Sequence, residues 1–276
     1  MPDFWTHILG GELVLKDLEQ ENIEENIREN RRIFYFGCQG PDFFFYNDFW
    51  PWIKNKRGPE AGKKIHEADF RSFFSCSMDY IQVDKLNLLK VYFYGVLCHY
   101  VFDKYLHPFI YARTSNFPEH KKLESSLDIL LVDELWQEKA FKLFPVTAID
   151  IGDELPVEIE DYYRYVLSTL FDYSPQVDFI NDSYIDMKRV LSIFYCPEKL
   201  KRSGIKLLNK FLPLDISIYL YPETIEYNFL SEGEKTEIYT LLKKASREGI
   251  DLIKMVNKGA FSDLIDFLPR VSFTGK

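Results

Sequence analysis

Histidines and carboxylates at helical spacing are the residues of this chain whose chemistry most clearly suggests a function. The five histidines all lie within the first 120 of 276 residues: His7, His66, His99, His107 and His120. Asp103 follows His99 by four residues, and His107 extends that spacing, so in a helix the three side chains share one face. His120 and Glu124 repeat the spacing. Helical bundles direct metal ligands into their interior with such pairs, so the pattern predicts a metal site.

A surface salt bridge is the alternative for each pair, and for a single pair it is the commoner role. The face of His99 also carries Leu88, Tyr92 and Gly95, which predicts burial. A buried row of polar side chains without a ligand would be costly to desolvate, so two such motifs together favour metal binding. Two further residues are weaker candidates: His66 alone also fits a core histidine, and Asp42 also fits a loop carboxylate.

Two helices must position these side chains. The first is predicted from Asp84, a plausible N-cap, to about Leu106, with Pro108 ending it. The second is predicted from Pro118, which suits a first helical turn, to about Lys142.

The rest of the chain also has helical patterns. Helices are predicted at 20–32, 59–80, 158–171 and 182–195, and Ser231 with Glu234 forms a capping-box pattern. Two glycines and a proline predict a loop at 33–42. No alternating pattern is long enough for a sheet. We therefore expect an all-α multi-helix bundle, a single domain spanning 1–276, with a metal-binding half (1–145) and a helical C-terminal extension of unknown role (146–276).

Composition and charge exclude several classes of protein. The net charge of −9 argues against binding of long nucleic acid, which depends on lysine and arginine. No apolar run reaches the length of a transmembrane helix, which leaves peripheral membrane contact open. The first residues lack the features of a secretory signal, and the four cysteines have no CxxC spacing, so a cytoplasmic protein with reduced thiols is expected.

Short motifs accompany these pairs along the chain. PDFWTH lies at 2–7, GPDFF at 40–44 and KIH at 64–66, and they are followed by the block from His99 to Pro108 and the pair His120/Glu124. The order of these motifs resembles that of the zinc-dependent phospholipase C family, which is related to the fungal-type zinc nucleases. The resemblance covers residues 1 to 135, and the block and the pair are its most specific parts.

The resemblance implies an all-α fold and three metal ions in a cleft. One ion would be bound by Asp42, His66, His99 and Asp103. A second would be bound by His107, His120 and Glu124. A third would use His7, with Asp103 bridging to the first. Secreted members begin with a Trp whose amino group binds the third ion. The nearest Trp here is Trp5, whose nitrogen is in a peptide bond, so a weak, absent or differently held third ion is predicted.

Zinc suits this set of histidine and carboxylate ligands, and two or three zinc ions are expected, although iron or manganese would also fit. Such ions lower the pKa of water and stabilise charge on a phosphoryl group. The resemblance therefore implies a metal-dependent phosphodiesterase that acts on a small-molecule or lipid phosphodiester, with Asp42 as ligand and general base. Asp42 is followed by an aromatic run, 43–52, in which Phe43 is expected to contact substrate; core packing is the alternative for the other rings.

Three other functions are alternatives to this one. A nuclease or nucleotidase would use the same cluster. A non-catalytic metal-binding interaction protein would depend on the C-terminal half. An HD-type phosphohydrolase is disfavoured, because it needs adjacent His and Asp residues and the chain has no such dipeptide.

Overall fold

The computed structural model describes residues 4–18, 21–50, 52–83, 87–195, 198–212, 215–225, 230–259, 265 and 268–275. Within these ranges the regular structure is helical and there is no β-strand, so the all-α prediction is confirmed. The α-helices are α1 (Phe4–Lys16), α2 (Glu21–Glu29), α3 (Arg31–Cys38), α4 (Gly58–Glu67), α5 (Phe70–Val83), α6 (Asn87–Tyr111), α7 (Phe117–Leu131), α8 (Pro145–Ile149), α9 (Val157–Phe171), α10 (Phe179–Phe194), α11 (Lys199–Leu208) and α12 (Glu232–Lys258).

Helix α6 is the centre of the bundle. Every residue from 91 to 103 is buried, because α1, α3 and α12 pack around this helix. A helix that is apolar on all sides is stable only when it is enclosed in this way. The polar side chains of His99 and Asp103 therefore lie in the interior of the protein.

The end of α6 differs from the prediction. The helix continues through Pro108 to Tyr111 instead of ending before the proline. Proline has no N–H to donate and its ring crowds the preceding turn, but the following turn is still bonded, since the N–H of Ala112 donates to the carbonyl of Pro108 at 3.1 Å. His107 is therefore helical. The predicted N-cap, Asp84, lies outside the described residues.

The loop predicted at 33–42 is wrong for its first half, which is helix α3. Gly37 lies inside this helix and faces Gly95 of α6. A Cβ atom on Gly37 would lie 2.1 Å from the carbonyl oxygen of Tyr92, and one on Gly95 would lie 2.3 Å from that of Phe34. These glycines allow two helices to approach closely, which is a different use of glycine from breaking a helix.

Other boundaries were predicted only in part. The pattern at 20–32 is divided between α2 and α3, and that at 59–80 between α4 and α5. Helix α7 does not reach Lys142: it ends at Leu131, followed by a π-helical turn, Val132–Trp136, and a left-handed Gln137. The predicted capping box at Ser231 is confirmed, with both reciprocal hydrogen bonds present.

Two further features of the described residues are the apolar length of the helices and the state of the cysteines. None of the described helices is both long and apolar enough to cross a membrane. Cys38, Cys76 and Cys98 are buried free thiols, and Cys196 lies outside the described residues.

Candidate metal centre

Three groups of histidines and carboxylates converge at one end of α6, and in each group the potential ligand atoms lie within 4.8 Å of one another. The groups are Asp42 with His66 and His99; His7 with His99 and Asp103; and His107 with His120 and Glu124. These are the eight residues that the sequence analysis selected as ligands, brought together from α1, α4, α6, α7 and the 3-10 helix Gly40–Tyr46.

Asp103 lies between the histidines and is fully buried. Its carboxylate oxygens are 3.3 Å from Nε2 of His99 and 3.4 Å from Nε2 of His7. They are 3.7 Å from Nδ1 of His107 and 3.9 Å from Nε2 of His66. One carboxylate thus faces Nε2 atoms of the first two groups, which is the position of a ligand that bridges these two, while it faces His107 of the third group from the Nδ1 side.

The histidine rings are oriented as metal-binding imidazoles are. Nδ1 of His66 contacts the carbonyl of Gly62 at 2.7 Å, that of His99 contacts Cys38 O at 3.1 Å, and that of His107 contacts Phe273 O at 3.3 Å. A carbonyl only accepts, so each Nδ1 carries the proton and each Nε2 presents a lone pair. Metal-binding histidines are usually held in this way.

The inward-facing atoms have no hydrogen-bond partner. The atoms that are buried without a partner are both nitrogens of His7, Nε2 of His66, His99 and His107, Oδ1 of Asp42 and both oxygens of Asp103. Nε2 of His66 is 2.9 Å from Oδ1 of Asp42, without hydrogen-bond geometry. Buried polar atoms are costly when unsatisfied. Lone pairs that converge from nitrogen and oxygen are the donor set of zinc, so the residues fit the metal that the resemblance implies.

Asp42 is placed by a turn that requires glycine. Gly40 has a φ of +51°, in the left-handed region that favours glycine. A Cβ atom at Gly40 would also lie 2.4 Å from the ring of His99. The 3-10 helix that begins here therefore passes directly over His99 and brings Asp42 to the other ligands.

The group on α7 is more open to solvent. Nε2 of His120 lies 2.8 Å from Oε1 of Glu124, and the imidazole rings of His120 and His107 are nearly parallel, with centroids 6.1 Å apart. The side chain of His120 is 13% exposed, whereas that of His107 is 1% exposed. This group lies at the entrance to the centre.

Asp128 was not selected from the sequence, although it extends the spacing of His120 and Glu124 by one more turn. Its carboxylate is fully buried and accepts hydrogen bonds from the N–H groups of Trp5 at 2.8 Å and Thr6 at 2.7 Å, as well as from the Thr6 hydroxyl. It therefore caps α1 and holds His7 next to the centre. The nitrogen of Trp5 donates to Asp128, so it does not replace the terminal amino group of the secreted members.

Phe273, in the segment 268–275, is a second participant that the sequence analysis did not find. Its carbonyl contacts Nδ1 of His107. The centroid of its buried ring lies 5.5 Å from the ring centroid of His66 and 5.9 Å from that of His99. No local pattern in the sequence marks this contact, because it joins residues that are far apart in the chain.

Burial and the Asp103 carboxylate shift the pKa values of the buried histidines in opposite directions. Burial lowers the pKa of His107 to about 3 and that of His7 well below its ordinary value. Burial acts in the same direction on His99, but Asp103 and Asp42 outweigh it and raise the pKa of His99. Burial would raise the pKa of Asp103, yet His107 and His99 hold it well below its ordinary value.

These shifts predict that metal affinity falls as the pH is lowered. The pKa of His99 is raised above 6.5, so below that raised value a proton competes with a metal for Nε2, and affinity should fall by roughly tenfold per pH unit for this one proton. Competition with a chromophoric chelator between about pH 5 and 8 measures this dependence. An affinity that stays constant over this range would contradict the prediction.

A pocket of about 830 Å³ opens above the centre. Asp42, His66, His107, His120 and Glu124 line it, whereas the fully buried His99 and Asp103 lie beneath. Its aromatic walls are Phe4, Phe45, Tyr46, Phe49, Tyr111, Phe117, Phe194, Tyr195 and Tyr219.

The expectation for Phe43 has to be corrected. Its ring is fully buried against Phe36, Phe44 and Tyr163 and does not line this pocket. Successive side chains of a 3-10 helix point about 120° apart, so the ring next to Asp42 is directed into the core. Phe45, two positions further on, reaches the pocket instead.

The fold and the site together define a helical protein with a buried cluster of histidines and carboxylates that could hold metal ions. The sequence profile of the family described as zinc dependent phospholipase C matches residues 6–173, which is more than half of the chain and includes all eight of these residues. The chain belongs to this family of zinc-dependent hydrolases. Searches of curated proteins and of solved structures found no match.

Proposed function

We propose that this protein hydrolyses a phosphodiester of phospholipid-headgroup size in the pocket above the three ligand groups. The observation that carries the proposal is the convergence of these groups on the floor of an aromatic-walled pocket. Two or three ions would be held by the eight residues named above. When bound, such ions lower the pKa of water and stabilise the negative charge that develops on the phosphoryl group.

The walls of the pocket favour a substrate with a phosphate and an apolar or cationic group. The volume of about 830 Å³ lies within the usual range for sites that enclose a small molecule. Lys56, Lys63 and Lys121 line the pocket and provide positive charge for a phosphate. The aromatic rings suit an apolar group, and their faces attract a quaternary ammonium.

Asp42 is the residue best placed to move a proton. It lies on the floor of the pocket, 6% exposed, and its Oδ1 is 2.9 Å from Nε2 of His66 and 3.7 Å from Nε2 of His99. A carboxylate that faces the ligand nitrogens on one side and reaches the pocket on the other can orient a water molecule and accept its proton.

The first experiment combines elemental analysis with substrate assays. The purified protein is expected to contain two or three zinc ions per chain and to release phosphorylcholine from p-nitrophenyl phosphorylcholine and from phosphatidylcholine. A dinucleotide and bis(p-nitrophenyl) phosphate test the nuclease alternative. Hydrolysis of the dinucleotide alone would replace the phospholipase proposal. A protein that binds metal but hydrolyses none of these compounds would have a non-catalytic role.

The variant Asp42→Asn is expected to lower turnover by about 10²- to 10⁴-fold, the usual range for loss of a general base. The amide is nearly isosteric but cannot accept the proton. Elemental analysis of the same sample separates two roles: turnover lost with metal retained supports the base, and loss of both shows that Asp42 acts chiefly as a ligand. Unchanged turnover would rule out the proton-transfer role.

A further inference from the structure

Helix α11 and the 3-10 turn that follows it, Asn209–Phe211, have an unusual distribution of side chains. Four of the twelve exposed large apolar residues of the described chain fall in this one segment: Leu200, Leu207, Leu208 and Phe211. Leu200 is 87% exposed and Phe211 is 79% exposed. Positions 200 and 207 are seven residues apart, so these two side chains share one face of α11, and Phe211 is exposed in the 3-10 turn that follows.

The opposite face of the segment is attached to the protein. Arg202 donates to the carbonyl of Tyr221 at 2.8 Å and forms an ion pair with Glu223, and Ile205 is buried beside it. In the following turn, Asn209 donates to Asp215 at 2.7 Å. Because Arg202 and Ile205 face inward, the leucine and phenylalanine face is directed away from the body of the protein. In a helix on the surface of a soluble protein, the polar face usually takes that position.

Lysines flank the exposed apolar face. The segment 198–212 contains five basic residues, Lys199, Lys201, Arg202, Lys206 and Lys210, and one acidic residue, Glu198, in a chain with a net charge of −9. By helical spacing, Lys199 and Lys206 border the apolar stripe on one side, and Lys210 follows in the 3-10 turn. Lys201 borders the stripe on the other side, where its ammonium group donates to the carbonyl of Ser192 at 2.8 Å. An apolar face bordered by lysines is typical of a helix that lies in the interface of an anionic bilayer.

The segment adjoins the wall of the pocket. The 3-10 helix Ile216–Tyr219 packs against α11, and its Tyr219 lines the pocket. The ring of Tyr219 also contacts that of Phe117, which lines the pocket and is 55% exposed. A surface that binds lipid at α11 would therefore hold the neighbouring pocket wall close to the membrane.

We propose that the face formed by Leu200, Leu207 and Phe211 inserts into the surface of an anionic lipid bilayer while the lysines contact lipid phosphates. Adsorption to the bilayer requires neither metal nor turnover, so this part of the inference does not depend on the proposed function. Only its purpose, the delivery of lipid substrate to the pocket, depends on it.

The test is co-sedimentation of the full-length protein with vesicles of phosphatidylcholine and phosphatidylserine, compared with vesicles of phosphatidylcholine alone. The wild type is expected to bind the mixed vesicles more strongly. The double variant Leu207→Glu/Phe211→Glu should reduce this binding by roughly 100-fold, because two apolar side chains are replaced by charges of the wrong sign. Lys206→Ala/Lys210→Ala should weaken binding chiefly to the mixed vesicles.

Val177→Glu is the matched control, since Val177 is 74% exposed and outside this segment; it should bind as the wild type does. Turnover of a soluble chromogenic phosphodiester should be the same in the wild type, the double glutamate variant and the control. Wild-type protein that does not bind, or a glutamate variant that binds equally well, would overturn the proposal. A wild-type dimer converted to a monomer by the glutamates, with no vesicle binding, would show instead that this face joins two copies of the chain.

The result is independent of the enzymatic assay. Vesicle binding that requires Leu207 and Phe211, in a protein that hydrolyses no phosphodiester, would retain the lipid-binding surface and remove the proposed function. Hydrolysis without vesicle binding would retain the proposed function and remove the lipid-binding surface.

Discussion

Asp103→Asn is expected to remove most of the metal from this protein and to abolish hydrolysis. The carboxylate of Asp103 is fully buried, and its oxygens lie 3.3 to 3.9 Å from ring nitrogens of His7, His66, His99 and His107. An amide has no charge, and its NH₂ group would donate to an imidazole lone pair that is needed for the metal. We expect affinity to fall by more than about 100-fold, the upper end of what loss of an outer-shell partner costs.

The measurement is elemental analysis after dialysis, together with competition against a chelator of known affinity. Asp128→Asn is the matched control, because Asp128 is also fully buried but accepts hydrogen bonds from the N–H groups of Trp5 and Thr6 in α1. The control should lower thermal stability while the ions bound by the groups of Asp42 and Glu124 remain. Wild-type metal content in Asp103→Asn would show that the carboxylate does not bridge the groups.

The ligands on α6 and α7 were predictable because their relation is local. Spacings of four residues within one helix place side chains on one face whatever the rest of the chain does. His99, Asp103 and His107 needed only the identification of that helix, as did His120 and Glu124. The convergence of the two helices did not follow from spacing, and the resemblance to the family supplied it.

The errors have a common cause, which is that glycine and proline have more than one structural use. Gly37 and Gly95 permit contact between α3 and α6, and Pro108 lies inside α6 without ending it. A single sequence shows the residue but not the partner surface, so the commoner use was assigned. Phe43 was misplaced for a related reason, since its neighbour in the chain is a ligand but its direction depends on the turn that begins at Gly40.

Asp128 and Phe273 support the centre through long-range contacts. The spacing of Asp128 from Glu124 is a usable signal, because it continues an interior face of α7. Phe273 has none: it lies beyond the family match at 6–173 and contacts His107 through a backbone carbonyl, which every residue has. The chain segment from 268 to 275 nevertheless takes part in the geometry of the candidate centre.

Hydrogen bonds and ring contacts attach the segment 268–275 to the helices around it. Arg71 donates to the carbonyl of Leu268 at 2.8 Å, and the Tyr100 hydroxyl donates to that of Val271 at 3.1 Å. The ring of Phe273 then packs against Tyr100 and Phe73, with centroids 5.2 and 5.3 Å away. These contacts fix the carbonyl that orients His107 and place an apolar ring beside His66 and His99.

Deletion of residues 268–276 is therefore expected to weaken metal binding by about 10- to 100-fold, the usual cost of losing a partner that orients a ligand. Phe273→Ala keeps the backbone carbonyl and removes only the ring, so it should lower the free energy of unfolding by about 3–5 kcal/mol and weaken metal binding less than the deletion does. Phe273→Leu fills most of the space and should cost less than about 1.5 kcal/mol.

Calorimetric zinc titration and thermal unfolding of the three proteins separate the two contributions. The point variants keep the test informative if the deleted protein does not fold, because their difference isolates the apolar cover over His66 and His99. If the deletion variant folds and binds zinc with wild-type affinity, the carbonyl of Phe273 does not orient His107. Agreement with the expected order would instead make the segment 268–275 a structural part of the metal centre. Spacing within α6 and α7 can place the candidate ligands on one face, but this segment is needed to hold the ring of His107 in one tautomer and one direction.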